Sequence, residues 1–127
     1  MERKTKILIA DDEKYLHDLL AKVLSADEFD MLHAYDGKEA LRLAEEQLPA
    51  LIVLDVMMPA MDGRDICKRL KSSPKTKDMK IIMLTAKDQQ HDRILGLQLG
   101  ADDYISKPCS MNYLARRIKI ASDRNGL

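Results

Sequence analysis

Five residues carry the chemistry this sequence offers: Asp11, Asp12, Asp55, Thr85 and Lys107. Asp11 and Asp12 end the apolar run at residues 7–10, and Asp55 ends the run at residues 51–54. Thr85 follows a third run, at 80–84, and Lys107 follows a shorter one, at 102–105. An ionised carboxylate beside apolar residues is costly unless a strand end, a paired cation or a metal accounts for it. Carboxylates brought together raise one another's pKa unless a cation intervenes. A hard divalent ion meets that need, and Mg²⁺ in particular takes one or two carboxylates together with water and phosphate oxygens. Lys107 can compensate a carboxylate and then a phosphoryl oxygen, and Thr85 can donate a hydrogen bond to another. Such a set suits phosphoryl transfer, where positioning and charge neutralisation do most of the work.

These residues converge only if the elements before them are arranged correctly. Runs of Leu, Ile and Val at 7–10, 51–54 and 80–84 read as buried strands, with weaker strands at 29–34 and 102–105. Between them lie helical stripes. The first is Leu16, Leu19, Leu20, Val23 and Leu24, and the second is Ala40, Leu41, Ala44 and Leu48, closed by Pro49. Ile66, Cys67 and Leu70 form a third, and residues 88–99 a fourth that stops at Gly100. Met111, Leu114, Ala115 and Ile118 form the last, with Ser110 placed as its N-cap. Strand and helix alternate five times, which predicts an α/β doubly wound parallel sheet with helices on both faces and strand order 2-1-3-4-5. In that order strands 1, 3, 4 and 5 are neighbours, and their carboxyl ends bring the five residues to one edge.

The bulk properties exclude some alternatives. With 127 residues, 46% of them hydrophobic, the chain is long enough for one domain with a real core. The 21 basic and 21 acidic residues cancel, so there is no electrostatic case for direct nucleic-acid binding. Cys67 and Cys109 lack metal-ligand spacing and read as small buried hydrophobes in a reducing compartment. The four apolar residues before Asp11 are too few for a signal-peptide core or a membrane span, so a cytoplasmic protein is expected. Met57, Met58 and Met61 have no Cys or His partners for a soft metal and read as loop and core filling. His17, His33 and His91 are scattered, and none reads as catalytic.

The chain resembles the receiver domain of two-component response regulators, the CheY-like family. The matching residues are Asp11-Asp12, the stretch from Leu54-Asp55 through Met58-Pro59 to Asp62-Gly63, Leu84-Thr85-Ala86, Gly100-Ala101-Asp102-Asp103-Tyr104-Ile105 and Lys107-Pro108. The resemblance implies one receiver domain over residues 1–127, with its core at about 5–122 and a tail or linker start at 123–127. It implies that Asp55 accepts a phosphoryl group from a sensor histidine kinase or phosphotransfer protein. Mg²⁺ would be held by Asp12, Asp55 and the Met57 backbone carbonyl, with Asp11 binding directly or through water. Thr85 would move toward the phosphoryl group and Tyr104 would turn inward as the switch pair. The Lys107–Pro108 bond would be cis. Output, and a homodimer contact, would use strand 5, the helix over 88–99 and the last helix. The protein would then be a signalling switch that catalyses only its own phosphorylation and dephosphorylation. An aspartate-nucleophile phosphatase of the haloacid dehalogenase type is the rival reading. It calls for a second acid two positions after the nucleophile, where this chain has Met57. Met57 and Lys87 flank the approach of a hydrolytic water and are poorly suited to orienting it, so a long-lived phosphoryl state is expected.

Overall fold

The computed structural model describes residues 4–86 and 99–123. Five strands form one sheet: β1 (Thr5–Ala10), β2 (Phe29–Ala34), β3 (Leu51–Asp55), β4 (Lys80–Ala86) and β5 (Asp103–Lys107). Their order is β2-β1-β3-β4-β5, and every pairing is parallel. Four helices lie among the described residues: α1 (Lys14–Val23), α2 (Gly37–Gln47), α3 (Gly63–Ser72) and α4 (Met111–Ser122). The expected helix over 88–99 lies outside the described residues except for Leu99, as do His91 and Lys87. No helix among the described residues is long and apolar enough to cross a membrane.

Successive strand residues point to opposite faces of the sheet, and this period of two sorts the core into two halves. Leu8, Ile52, Leu54, Ile81, Met83 and Tyr104 pack with Ala40, Leu41 and Ala44 of α2 and Ile66, Cys67 and Leu70 of α3. Ile7, Ile9, Leu51, Val53, Ile82, Leu84 and Ile105 pack with Leu16 and Leu20 of α1 and Leu114 and Ile118 of α4. The same alternation governs the functional edge. Asp55 and Lys107 continue the series that faces α1 and α4. Thr85 continues the series of Met83, on the α2 and α3 side with Tyr104. Asp55 and Lys107 therefore approach the edge from one face and Thr85 from the other.

Helix starts follow the sequence. The side chains of Asp36, Asp62 and Ser110 accept hydrogen bonds from backbone N–H groups of the first turns of α2, α3 and α4. Three expectations need correction. β3, β4 and β5 run further than the apolar runs suggest, because Asp55 pairs with Leu84, Thr85 with Ser106 and Ala86 with Lys107. Asp55 and Lys107 are thus the last residues of β3 and β5, and Thr85 is the last but one of β4, at the strand ends where they were expected. Val23 is exposed at the end of α1, and the inward stripe is Leu16, His17, Leu20 and Leu24. Leu48 does not continue the α2 stripe. It closes the helix at φ 49°, donates its N–H to the Ala44 carbonyl and is exposed, because Pro49 cannot extend the helix.

Candidate phosphoryl-transfer site

Asp11 and Asp55 are both buried, at 0% and 6% exposure, whereas Asp12 is exposed. Each of the three carboxylates offers an oxygen, and these oxygens lie within 4.8 Å of one another. Lys107 Nζ lies 2.8 Å from Asp11 Oδ2, 3.4 Å from Asp55 Oδ2 and 3.3 Å from Glu13 Oε1. Backbone groups hold the acids in place: Glu13 N–H donates to Asp11 Oδ1 at 2.9 Å, and Met57 N–H to Asp55 Oδ1 at 3.2 Å. The Lys107–Pro108 peptide is cis.

The electrostatics are unbalanced. Burial, and then the charge of Asp11, push the Asp55 carboxyl from 3.8 up to about 6, against the opposing pull of Lys107. Burial works against the Lys107 charge, yet Asp11, Asp55 and Glu13 hold its ammonium well above the ordinary lysine value. Among the described residues one ammonium thus serves three carboxylates, those of Asp11, Asp55 and Glu13, with Asp12 beside them. That deficit of positive charge, among oxygen donors of which two are buried, fits a hard divalent cation such as Mg²⁺.

The loop after β3 is positioned by two close backbone approaches. A Cβ at Gly63 would fall on the Asp55 carbonyl oxygen, and one at Gly37 on the Met61 carbonyl oxygen. Gly37 N–H donates to the Pro59 carbonyl at 2.9 Å, which ties the start of α2 to this loop. Met61 N–H donates to the same carbonyl at 2.9 Å, and Ala60 between them has φ 73°. This is a γ-turn, a strained conformation for a residue with a side chain. The Met57 side chain projects into solvent.

Thr85 is 2% exposed, and among the described residues its hydroxyl makes no hydrogen bond. A buried hydroxyl without a partner is costly, which fits a group kept for a ligand oxygen. Tyr104 lies inward in the core of the α2 and α3 face. Beside the acids a cavity of about 710 Å³ opens between α1 and the loop after β5. Leu16, Leu19, Met57, Pro108 and Met111 line it, with Asp55 and Lys107 at one end.

Some of this was not readable in the sequence. Glu13 joins Lys107, although its spacing marks it only as a helix-start acid. His17 and His33, sixteen positions apart, have Nδ1 atoms 2.8 Å from each other, and His17 Nε2 lies 2.8 Å from the Asp11 carbonyl oxygen. The only hint was polar: a histidine at an inward position of the α1 stripe.

The family model for the response regulator receiver domain matches residues 7–119. Solved structures agree. The receiver domain of a Francisella response regulator is 35% identical, with TM-score 0.85 over 96% of this chain and 99% of that one. The signal receiver domain of a signal transduction histidine kinase from Syntrophus aciditrophicus is also 35% identical, with TM-score 0.82 over 93% of this chain and 89% of that one. A CheY-like response regulator receiver domain protein from Methanospirillum hungatei is 27% identical, with TM-score 0.85 over 95% of each chain. With a family match across most of its length and these relatives over nearly all of it, the chain belongs to the response regulator receiver domain family.

Proposed function

We propose that this receiver domain, read as one unit over residues 1–127, is a phosphoacceptor switch that takes a phosphoryl group on Asp55. The observation that carries this reading is the charge deficit at the strand ends: among the described residues, three clustered carboxylates, two of them buried, stand against the one ammonium of Lys107. An Asp55 carboxylate oxygen attacks the phosphorus of a phosphohistidine on a sensor histidine kinase or phosphotransfer protein. The P–O bond forms as the P–N bond breaks, and the donor imidazole leaves with the electron pair. Lys107 turns from its carboxylates to a phosphoryl oxygen, and the Thr85 hydroxyl donates to another. Asp12, Asp55 and the Met57 carbonyl would hold Mg²⁺, with Asp11 direct or through water. Bound there, the ion would offset the charge of the incoming phosphoryl oxygens. The apolar cavity beside Asp55 gives the donor protein a surface on which to seat.

Readout runs through Thr85 and Tyr104 to β5 and α4, the surface we assign to output and to a homodimer contact. The segment 88–99, also expected there, lies outside the described residues. We place the protein in the cytoplasm and assign its chemistry to its own phosphorylation and dephosphorylation. The test is incubation with acetyl phosphate and Mg²⁺, followed by intact mass. Wild type should gain one phosphoryl group and Asp55→Ala none. Equal gain in both, or none in wild type, contradicts the reading.

A further inference from the structure

The acid pair Asp11-Asp12 hangs on a single peptide plane, and the structure shows what grips it. The preceding peptide is held where the Asp11 N–H donates to the Ala34 carbonyl at 3.1 Å. On the shared plane itself, the Asp11 carbonyl lies 2.8 Å from His17 Nε2. That carbonyl belongs to the planar group joining Asp11 to Asp12, so fixing it sets where the Asp12 chain departs. His17 is 1% exposed, with the Tyr35 ring 4.3 Å from it, centroid to centroid. Its other ring nitrogen, Nδ1, lies 2.8 Å from His33 Nδ1.

The tautomers follow from the partners. A carbonyl oxygen can only accept, so His17 Nε2 carries its proton. In a neutral ring His17 Nδ1 is then an acceptor, and His33 Nδ1 must donate. Burial, and then the neighbouring His17, lower the His33 pKa and favour the neutral ring. With both rings neutral, the relay runs from His33 Nδ1–H to His17 Nδ1, and from His17 Nε2–H to the Asp11 carbonyl. It runs from β2 through α1 to the acid pair.

We propose that His17, oriented by His33, is a positioning residue that holds the Asp11–Asp12 peptide in the geometry required by the cation site. The inference rests on the phosphoryl-transfer reading above, and it concerns residues that never touch the substrate. A histidine pair that merely fills the core would tolerate any replacement of similar size. A positioning pair requires a donor at the His17 Nε2 position.

Two variants separate these cases. His17→Gln puts an amide N–H near the Nε2 position, and His17→Leu fills the space without a donor. Mg²⁺ binding is measured by calorimetry on the full chain, with thermal unfolding in chelator recorded for each variant. His17→Leu should weaken Mg²⁺ about tenfold, the scale on which outer partners of metal ligands act, and His17→Gln should recover most of that loss. Imidazole nitrogen NMR of wild type should show His33 as the Nδ1–H tautomer, the minor form in water, with scalar coupling across the two Nδ1 atoms. Unchanged Mg²⁺ affinity in folded His17→Leu, equal loss in both variants, or His33 as the Nε2–H tautomer overturns the proposal. Mg²⁺ uptake that is identical in wild type and Asp55→Ala overturns the reading of the site itself, and this one with it.

Discussion

Two partly buried lysines sit near opposite ends of the sheet, and their surroundings differ in one respect. Lys71, on α3, donates to the carbonyls of Lys77 and Met79 at 3.1 and 2.7 Å and lies 3.4 Å from Asp102 Oδ2. That carboxylate also accepts the Ile81 N–H at 2.8 Å, and Lys80 approaches its other oxygen at 3.9 Å. Two cations and a backbone N–H thus serve one acid. Among the described residues, the partners of the Lys107 ammonium are carboxylates: Asp11, Asp55 and Glu13. The nearby threonines repeat the contrast. Both are 2% exposed, but the Thr76 hydroxyl donates to the Leu70 carbonyl at 2.6 Å, whereas the Thr85 hydroxyl has no partner among the described residues. The first region is a closed clamp. The second keeps charge and hydrogen-bonding capacity in reserve, and buried polar groups left in that condition mark function rather than stability.

The contrast breaks most visibly at Lys107. In chelator at neutral pH, Lys107→Met should cost about 3 kcal/mol, because it leaves buried carboxylates without their cation. Urea unfolding should show much of that loss recovered by Mg²⁺ or by acidification. A loss indifferent to both would remove the charge-deficit account.

Asp55 gives the next largest effect. Its folded carboxyl titrates near 6 rather than at 3.8, so the fold prefers the protonated acid. Its favourable contribution is complete below about pH 4 and is lost as the pH rises through about 6. In chelator, wild type should therefore lose about 2 kcal/mol relative to Asp55→Asn over that interval. Parallel pH profiles for the two proteins would contradict the shift.

Lys71→Met should cost about 1–2 kcal/mol through its lost hydrogen bonds. Unlike Lys107→Met, this loss should be the same with and without Mg²⁺. The smallest pair compares the threonines. Thr76→Val should destabilise by about 1 kcal/mol, and Thr85→Val should be neutral or stabilising by up to about 1 kcal/mol. Equal losses in the two would mean that Thr85 is satisfied after all.

Much of this was legible in the sequence, for a definite reason. Strand ends in a parallel sheet are marked by acids and hydroxyls that interrupt otherwise apolar runs, and Asp11, Asp55 and Thr85 do so. The strand order and both halves of the core follow from the alternation of runs and stripes. The unread parts depend on register or local geometry. The His17–His33 contact needs Ile9 of β1 paired with His33 of β2, and α1 laid so that its second turn returns to the Asp11 carbonyl. The Lys71 clamp is unreadable because no periodic signal shows a lysine reaching carbonyls six and eight residues on. Leu48 failed because helix periodicity cannot show that a left-handed residue ends the helix.

The central claim is that Asp55 itself carries the phosphoryl group. After incubation with acetyl phosphate and Mg²⁺, borohydride reduces an acyl phosphate to the alcohol, so an aspartyl phosphate becomes homoserine. Peptide mass mapping should find homoserine at position 55 and unmodified aspartate at positions 11 and 12. Homoserine at 11 or 12, or no conversion at 55 in a protein that has gained the phosphoryl mass, would contradict it.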